Sequence, residues 1–66
     1  MSTIGKNIKR LRQEKGISQD KLSKLADLSL NTVVKIELED SPNPTIETVQ
    51  RIAKALEVSV DDLLKK

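Results

Sequence analysis

Apolar residues recur three and four positions apart in short stretches of this chain, and polar punctuation interrupts each stretch before it grows long. That spacing is the period of a helix, and no stretch alternates apolar and polar residues as a half-buried strand does. Ile4, Ile8 and Leu11 predict a first helix from residue 4 to about 15, with Gly16 at the stop position. Ser18 caps a second helix, Asp20 suits its positive first turn, and Leu22 with Leu25 is expected to face inward until the pattern breaks near Asp27. Leu28 anchors the turn that follows. Ser29 opens a third helix reaching about Leu38, in which Val33 and Ile36 continue the core stripe. The stretch "EDSPNPT" reads as an irregular loop before a new start at Asn43 to Thr45, and Ile46, Val49, Ile52, Ala53 and Leu56 form the next apolar face. Ser59 and Asp62 stand at capping-box spacing ahead of Leu63 and Leu64. The expected fold is all-α: a compact five-helix bundle forming a single domain over residues 1–66.

Composition excludes several function classes. A chain of 66 residues hides only about 60% of its unfolded surface, which disfavours a deep catalytic cleft. It contains no Cys and no His, so disulfides and the usual zinc ligands are absent and no metal or cofactor is expected. Asp61 and Asp62 are neighbouring acids that a helix start explains, and no nucleophile-base pair or phosphate-cradling glycine loop accompanies them. An enzyme is not expected. No apolar run suits a membrane span or a secretory signal, which points to the cytoplasm. With no Phe, Trp or Tyr there is no platform for base stacking, so a nucleic-acid partner should be duplex DNA rather than a single strand.

The formal net charge is +2, unevenly placed: residues 1–35 carry eight Lys or Arg against three acids, residues 36–66 four against seven. The first half is the one suited to a polyanion.

In the order and spacing of its elements the chain resembles the helix-turn-helix domains of the phage repressor and Cro type, the XRE family. "IGKNIKRLRQEKGISQDKLSKLADLS" is similar to that family's first helix, glycine turn, Ser-Gln helix start and inter-helix turn. "VVKIE" is similar to its recognition helix and "NPTIETVQRIAKALEVSVDDLL" to its last two helices. The resemblance implies a helix-turn-helix over about residues 18–38 that places the helix opening at Ser29 in the major groove of DNA. Leu30, Asn31, Thr32 and Lys35 then face the bases. Asn31 suits adenine N7 and N6, Lys35 suits guanine or a phosphate, Leu30 suits a thymine methyl, and Thr32 suits a base or a phosphate. The resemblance also implies phosphate contacts from Ser18, Gln19, Ser29, Ser41 and Asn43, with Lys9 and Lys6 adding less directional attraction. It implies a structural ion pair between Arg12 and Glu37. It implies a homodimer on a palindromic operator, for which Val58, Val60, Leu63 and Leu64 are candidate contacts and core packing is the competing assignment.

The departures are local. Asp27 stands where the family commonly has glycine, and Asp tolerates a left-handed backbone better than most residues. Glu39 and Asp40 lie where relatives carry basic residues, so DNA affinity should be modest and strongly salt-dependent. The expected function is a repressor- or controller-type transcriptional regulator that binds duplex DNA in the nucleoid. The alternative, favoured by the acidic loop and by Leu30 with Val34, is a protein-interaction module on the same fold.

Overall fold

Hydroxyl side chains write the helix starts. The computed structural model of the chain describes residues 4–38 and 44–65. They contain α1 (Ile4–Glu14), α2 (Gln19–Leu25), α3 (Leu30–Glu37), α4 (Ile46–Leu56) and α5 (Val60–Leu64). Ser18, Ser29, Thr45 and Ser59 each hold extended backbone, and each side-chain oxygen accepts the amide of the residue three positions on. Every such bond satisfies an amide that a helix start leaves without a partner, and stabilises by about 1 kcal/mol. At Ser59 the bond is answered: the Asp62 carboxylate accepts the Ser59 amide at 3.1 Å.

Three helices end in one way. Gly16, Asp27 and Glu57 are left-handed, at φ 70, 57 and 59. In each case the left-handed residue's amide donates to the carbonyl three back, and the next amide donates to the carbonyl five back. The pairs are Gly16 to Gln13 with Ile17 to Arg12, Asp27 to Lys24 with Leu28 to Ser23, and Glu57 to Lys54 with Val58 to Ala53. This closure occupies carbonyls that the helix end would strand. The following residue is aliphatic and packs against the core, as Ile17, Leu28 and Val58 do. The residue after that is the serine capping the next helix. Glu57 was not anticipated in a left-handed role, because Glu has neither glycine's freedom nor the local bonding of Asp.

Ile8, Leu22, Val33, Ile52, Leu56 and Leu63 are completely buried, one or more from every helix. Burial of each large aliphatic side chain contributes about 1.5–3 kcal/mol. Through this layer α1 packs on α3 and α5, α2 on α3 and α4, and α4 on α5. Two expectations are corrected. Leu25 is 51% exposed, because the inward arc of α2 runs through Leu22, Ser23 and Ala26 and leaves Leu25 at its edge. Ile46 is 69% exposed, because it is the first residue of α4, where the apolar stripe has run past the end of the core. The buried Ser23 hydroxyl is satisfied by donating to the Asp20 carbonyl at 2.7 Å.

Candidate nucleic-acid interface

The third helix divides cleanly by face. Val33 is fully buried and Ile36 nearly so, fixing α3 to the core, while Leu30, Asn31 and Lys35 are exposed. Ser29 and Thr32 bond each other as well as the backbone. The Ser29 hydroxyl oxygen accepts the Thr32 amide at 3.1 Å, and the two hydroxyls lie 2.8 Å apart. Leu30, Asn31 and Thr32 thus share the first turn of α3, and Lys35 follows on the next.

The other end of α3 is held from two directions. Arg12 of α1 donates from Nε to Glu37 Oε2 at 2.8 Å and from Nη2 to Oε1 at 3.0 Å, while Nη1 donates to the Ile17 carbonyl at 2.9 Å. The two side chains are only 11% and 3% exposed. The hydrogen bonds to Glu37 raise the Arg12 pKa above its ordinary value, against the opposing effect of burial. A forked, charge-assisted pair of this kind fixes direction as well as distance. Gln19 of α2 joins it, donating from Nε2 to Glu37 Oε1 at 3.0 Å. One face of the helix pair is thereby locked by a single carboxylate, and one of the two amide N–H groups that Gln19 could offer a phosphate is already engaged.

Among the other candidates, Ser18 is committed to capping through the Lys21 amide at 3.0 Å. Lys6 and Lys9 lie exposed on α1. Ser41 and Asn43 lie outside the described residues, as do Glu39 and Asp40. Leu63 is corrected from candidate dimer contact to core, since none of its surface is exposed. Val58 and Val60 are partly buried against the same core, and Leu64 is 48% exposed.

Two residues went unnoticed in the sequence. Asn7 donates from Nδ2 to the carbonyls of Leu63 at 2.8 Å and Lys65 at 2.6 Å, closing the end of α5 from α1. Arg51 of α4 donates from Nη1 to the Asp27 carbonyl at 3.2 Å and from Nη2 to Glu47 Oε2 at 3.0 Å. The only sequence signal was the Glu47 to Arg51 spacing of four, which reads as an ordinary surface pair.

A family model described as helix-turn-helix matches residues 8–63, and these contain α2, α3 and the turn between them. The chain belongs to this helix-turn-helix family. The helix-turn-helix chain is similar to the HTH-type transcriptional regulator SinR of Bacillus licheniformis, with 35% identity over 63 residues that make up 96% of this chain and 57% of that protein. It therefore spans little more than half the length of the SinR relatives it matches. The N-terminal DNA-binding domain of SinR from Bacillus subtilis matches with a TM-score of 0.91 and 34% identity, covering 97% of this chain and 93% of that one. A point mutant of the controller protein C.Esp1396I, bound to its highest affinity operator site, matches with a TM-score of 0.80 and 32% identity over 97% of this chain and 93% of that one. The all-α fold and the helix-turn-helix resemblance read from the sequence are confirmed by these matches, and the SinR relatives are transcriptional regulators.

Proposed function

We propose that this helix-turn-helix domain binds duplex DNA with sequence preference and regulates transcription, entering the major groove with the amino end of α3. The observation that carries the reading is the division of α3. Val33 and Ile36 are buried while Leu30, Asn31 and Lys35, on the same short helix, are exposed. A helix is about as wide as the major groove, so a helix gripped on one face can present the other to base edges. Asn31 pairs its amide with adenine N7 and N6, Lys35 donates to guanine, and Leu30 lies against a thymine methyl. Thr32 and Ser29, already bonded to each other, offer hydroxyls to the flanking backbone. Ser18, the remaining N–H of Gln19, Lys9, Lys6, Ser41 and Asn43 complete the phosphate contacts.

Two copies pairing through the exposed Leu64 with Val58 and Val60 set two such helices about 34 Å apart, one duplex turn, on a palindromic operator. The operator-bound relative supports the DNA-binding part of this reading, and with it goes a place in the cytoplasm at the nucleoid.

Titration of a random duplex pool at two salt concentrations tests the proposal. Enrichment of particular sequences, with affinity falling steeply as salt rises, is the expected result. Uniform affinity for every sequence, or no binding at low salt, overturns it. Lys35→Ala should remove discrimination at one base pair, costing about 1–3 kcal/mol on the preferred site and little on others.

A further inference from the structure

We infer that Arg51 is a positioning residue for α3, holding the turn that aims the helix without itself touching DNA. The inference rests on the DNA-binding reading above and extends it to a residue outside the helix-turn-helix. Asp27 is the left-handed residue between α2 and α3, and Ser29, which opens α3, is only two positions on. The turn is closed by its own backbone, through the Asp27 and Leu28 amides, as the Glu57 turn is, but its Asp27 carbonyl also receives a side chain from another helix. Arg51 supplies this. One arm of its guanidinium donates to the Asp27 carbonyl at 3.2 Å, and the other is anchored by Glu47 at 3.0 Å. The first arm also lies 3.8 Å from the Asp27 carboxylate, so charge reinforces the bond to the backbone.

The arrangement parallels the other end of α2, where Arg12 donates to the Ile17 carbonyl in the turn between α1 and α2. Each turn flanking α2 is thus gripped by an arginine lying outside it in sequence, Arg12 from α1 and Arg51 from α4. Tilting α3 by a few degrees displaces Asn31 and Lys35 from their base edges while leaving the diffuse attraction to phosphates nearly unchanged. Sequence preference should therefore depend on Arg51 more than total affinity does.

The experiment uses the whole chain with Arg51→Met, which keeps the aliphatic stem and removes the fork, and Arg51→Lys, which keeps the charge without the fork. On the duplex that the unaltered chain selects, Arg51→Met should lower affinity by about three- to tenfold, the reach of one hydrogen bond. Affinity for unrelated duplex and the slope of affinity against salt should not change. Arg51→Lys should restore less than half of the loss. A salt slope reduced by about one, or full restoration by Arg51→Lys, overturns the proposal in favour of a direct phosphate contact.

A readout without DNA separates this from failure of the functional reading. In the free protein, amide exchange at Leu28, bonded to the Ser23 carbonyl, should quicken in Arg51→Met while exchange at Val58, bonded to the Ala53 carbonyl, does not. Equal change at both amides, or none at Leu28, overturns the clamp whether or not the chain binds DNA.

Discussion

The turn at Asp27 and the turn at Glu57 share one backbone design and serve different ends. Both place an acidic residue in the left-handed region, both close with the same pair of amide-carbonyl bonds, and both are followed by an aliphatic anchor and a capping serine. They differ in what supports them. The Asp27 carbonyl is gripped by Arg51 from another helix, and the far end of the α3 that follows is gripped by Arg12 and Gln19 through Glu37. The Glu57 turn is closed by its own backbone and leads into α5, whose Leu63 is completely buried and whose last carbonyls are held by Asn7. Both helices are anchored by a completely buried residue, Val33 in α3 and Leu63 in α5, and both are held at the far end by a side chain of α1. What sets α3 apart is the charged, forked pair at its end and the arginine on the carbonyl of the turn before it.

Removing that polar support should have the largest effect. Glu37→Ala strands the Arg12 guanidinium beneath a surface that leaves it 11% exposed, and frees Gln19 at the same time. Loss of one partner from a buried pair costs about 3–5 kcal/mol. A folded chain of 66 residues has about 3–10 kcal/mol in total, so urea unfolding should find this variant barely folded. Arg12→Met combined with Glu37→Leu should recover most of the loss, because an apolar pair strands no charge. A cost below about 1 kcal/mol for Glu37→Ala would mean that the forked pair adds little to the packing of Val33 and Ile36 in holding α3.

The turns themselves supply a smaller test. Glycine at a left-handed position removes steric cost, and Glu tolerates that region less well than Asp. Glu57→Gly should stabilise by up to about 1 kcal/mol, and Asp27→Gly by only a few tenths, since Asp27 also loses its electrostatic contact with Arg51. Gly16→Ala should destabilise by a similar 1 kcal/mol or so, although a methyl there meets nothing within 4 Å, because the penalty lies in the backbone. Equal gains from the two acid-to-glycine changes would show that the Asp27 carboxylate adds nothing to the grip of Arg51, whose bond to the Asp27 carbonyl glycine keeps.

These contrasts also explain what was legible in the sequence. Helix starts were readable because a serine or threonine three positions before a bonded amide is local chemistry, and all four observed caps have it. The buried stripe was readable as a period, but its edges were not. Leu25 and Ile46 obey the spacing and are still exposed, because the width of the packed layer is set by neighbouring helices. Of the residues proposed for the site, Asn31 and Lys35 followed from the resemblance to the helix-turn-helix family, which put them on the helix opening at Ser29. Arg51 and Asn7 did not, since both act on backbone carbonyls 24 or more positions away, and a backbone acceptor leaves no mark on the sequence. The left-handed Glu57 was hidden for a related reason: its conformation is imposed by Val58 reaching the core and Ser59 opening α5, not by any preference of Glu.

The smallest expected effect distinguishes the two serine caps by pH. The Asp62 carboxyl is held below its usual range, chiefly by hydrogen bonding to the Ser59 backbone amide, then by the Ser59 side chain and by Lys65. Its folded pKa lies below its unfolded one, so its contribution is complete above the unfolded value and is lost as pH falls through the folded one. The corresponding partner at the start of α3 is Thr32, a hydroxyl that does not titrate in this range. Acidification should therefore fray the first turn of α5 before that of α3. Amide exchange at Asp62 compared with Thr32, corrected for intrinsic rates, should diverge as pH falls from about 5 toward about 3. In Asp62→Asn the divergence should vanish, because the amide that replaces the carboxylate has no charge to lose. If Thr32 loses protection in step with Asp62, acid acts on the whole fold and the two caps are equivalent after all.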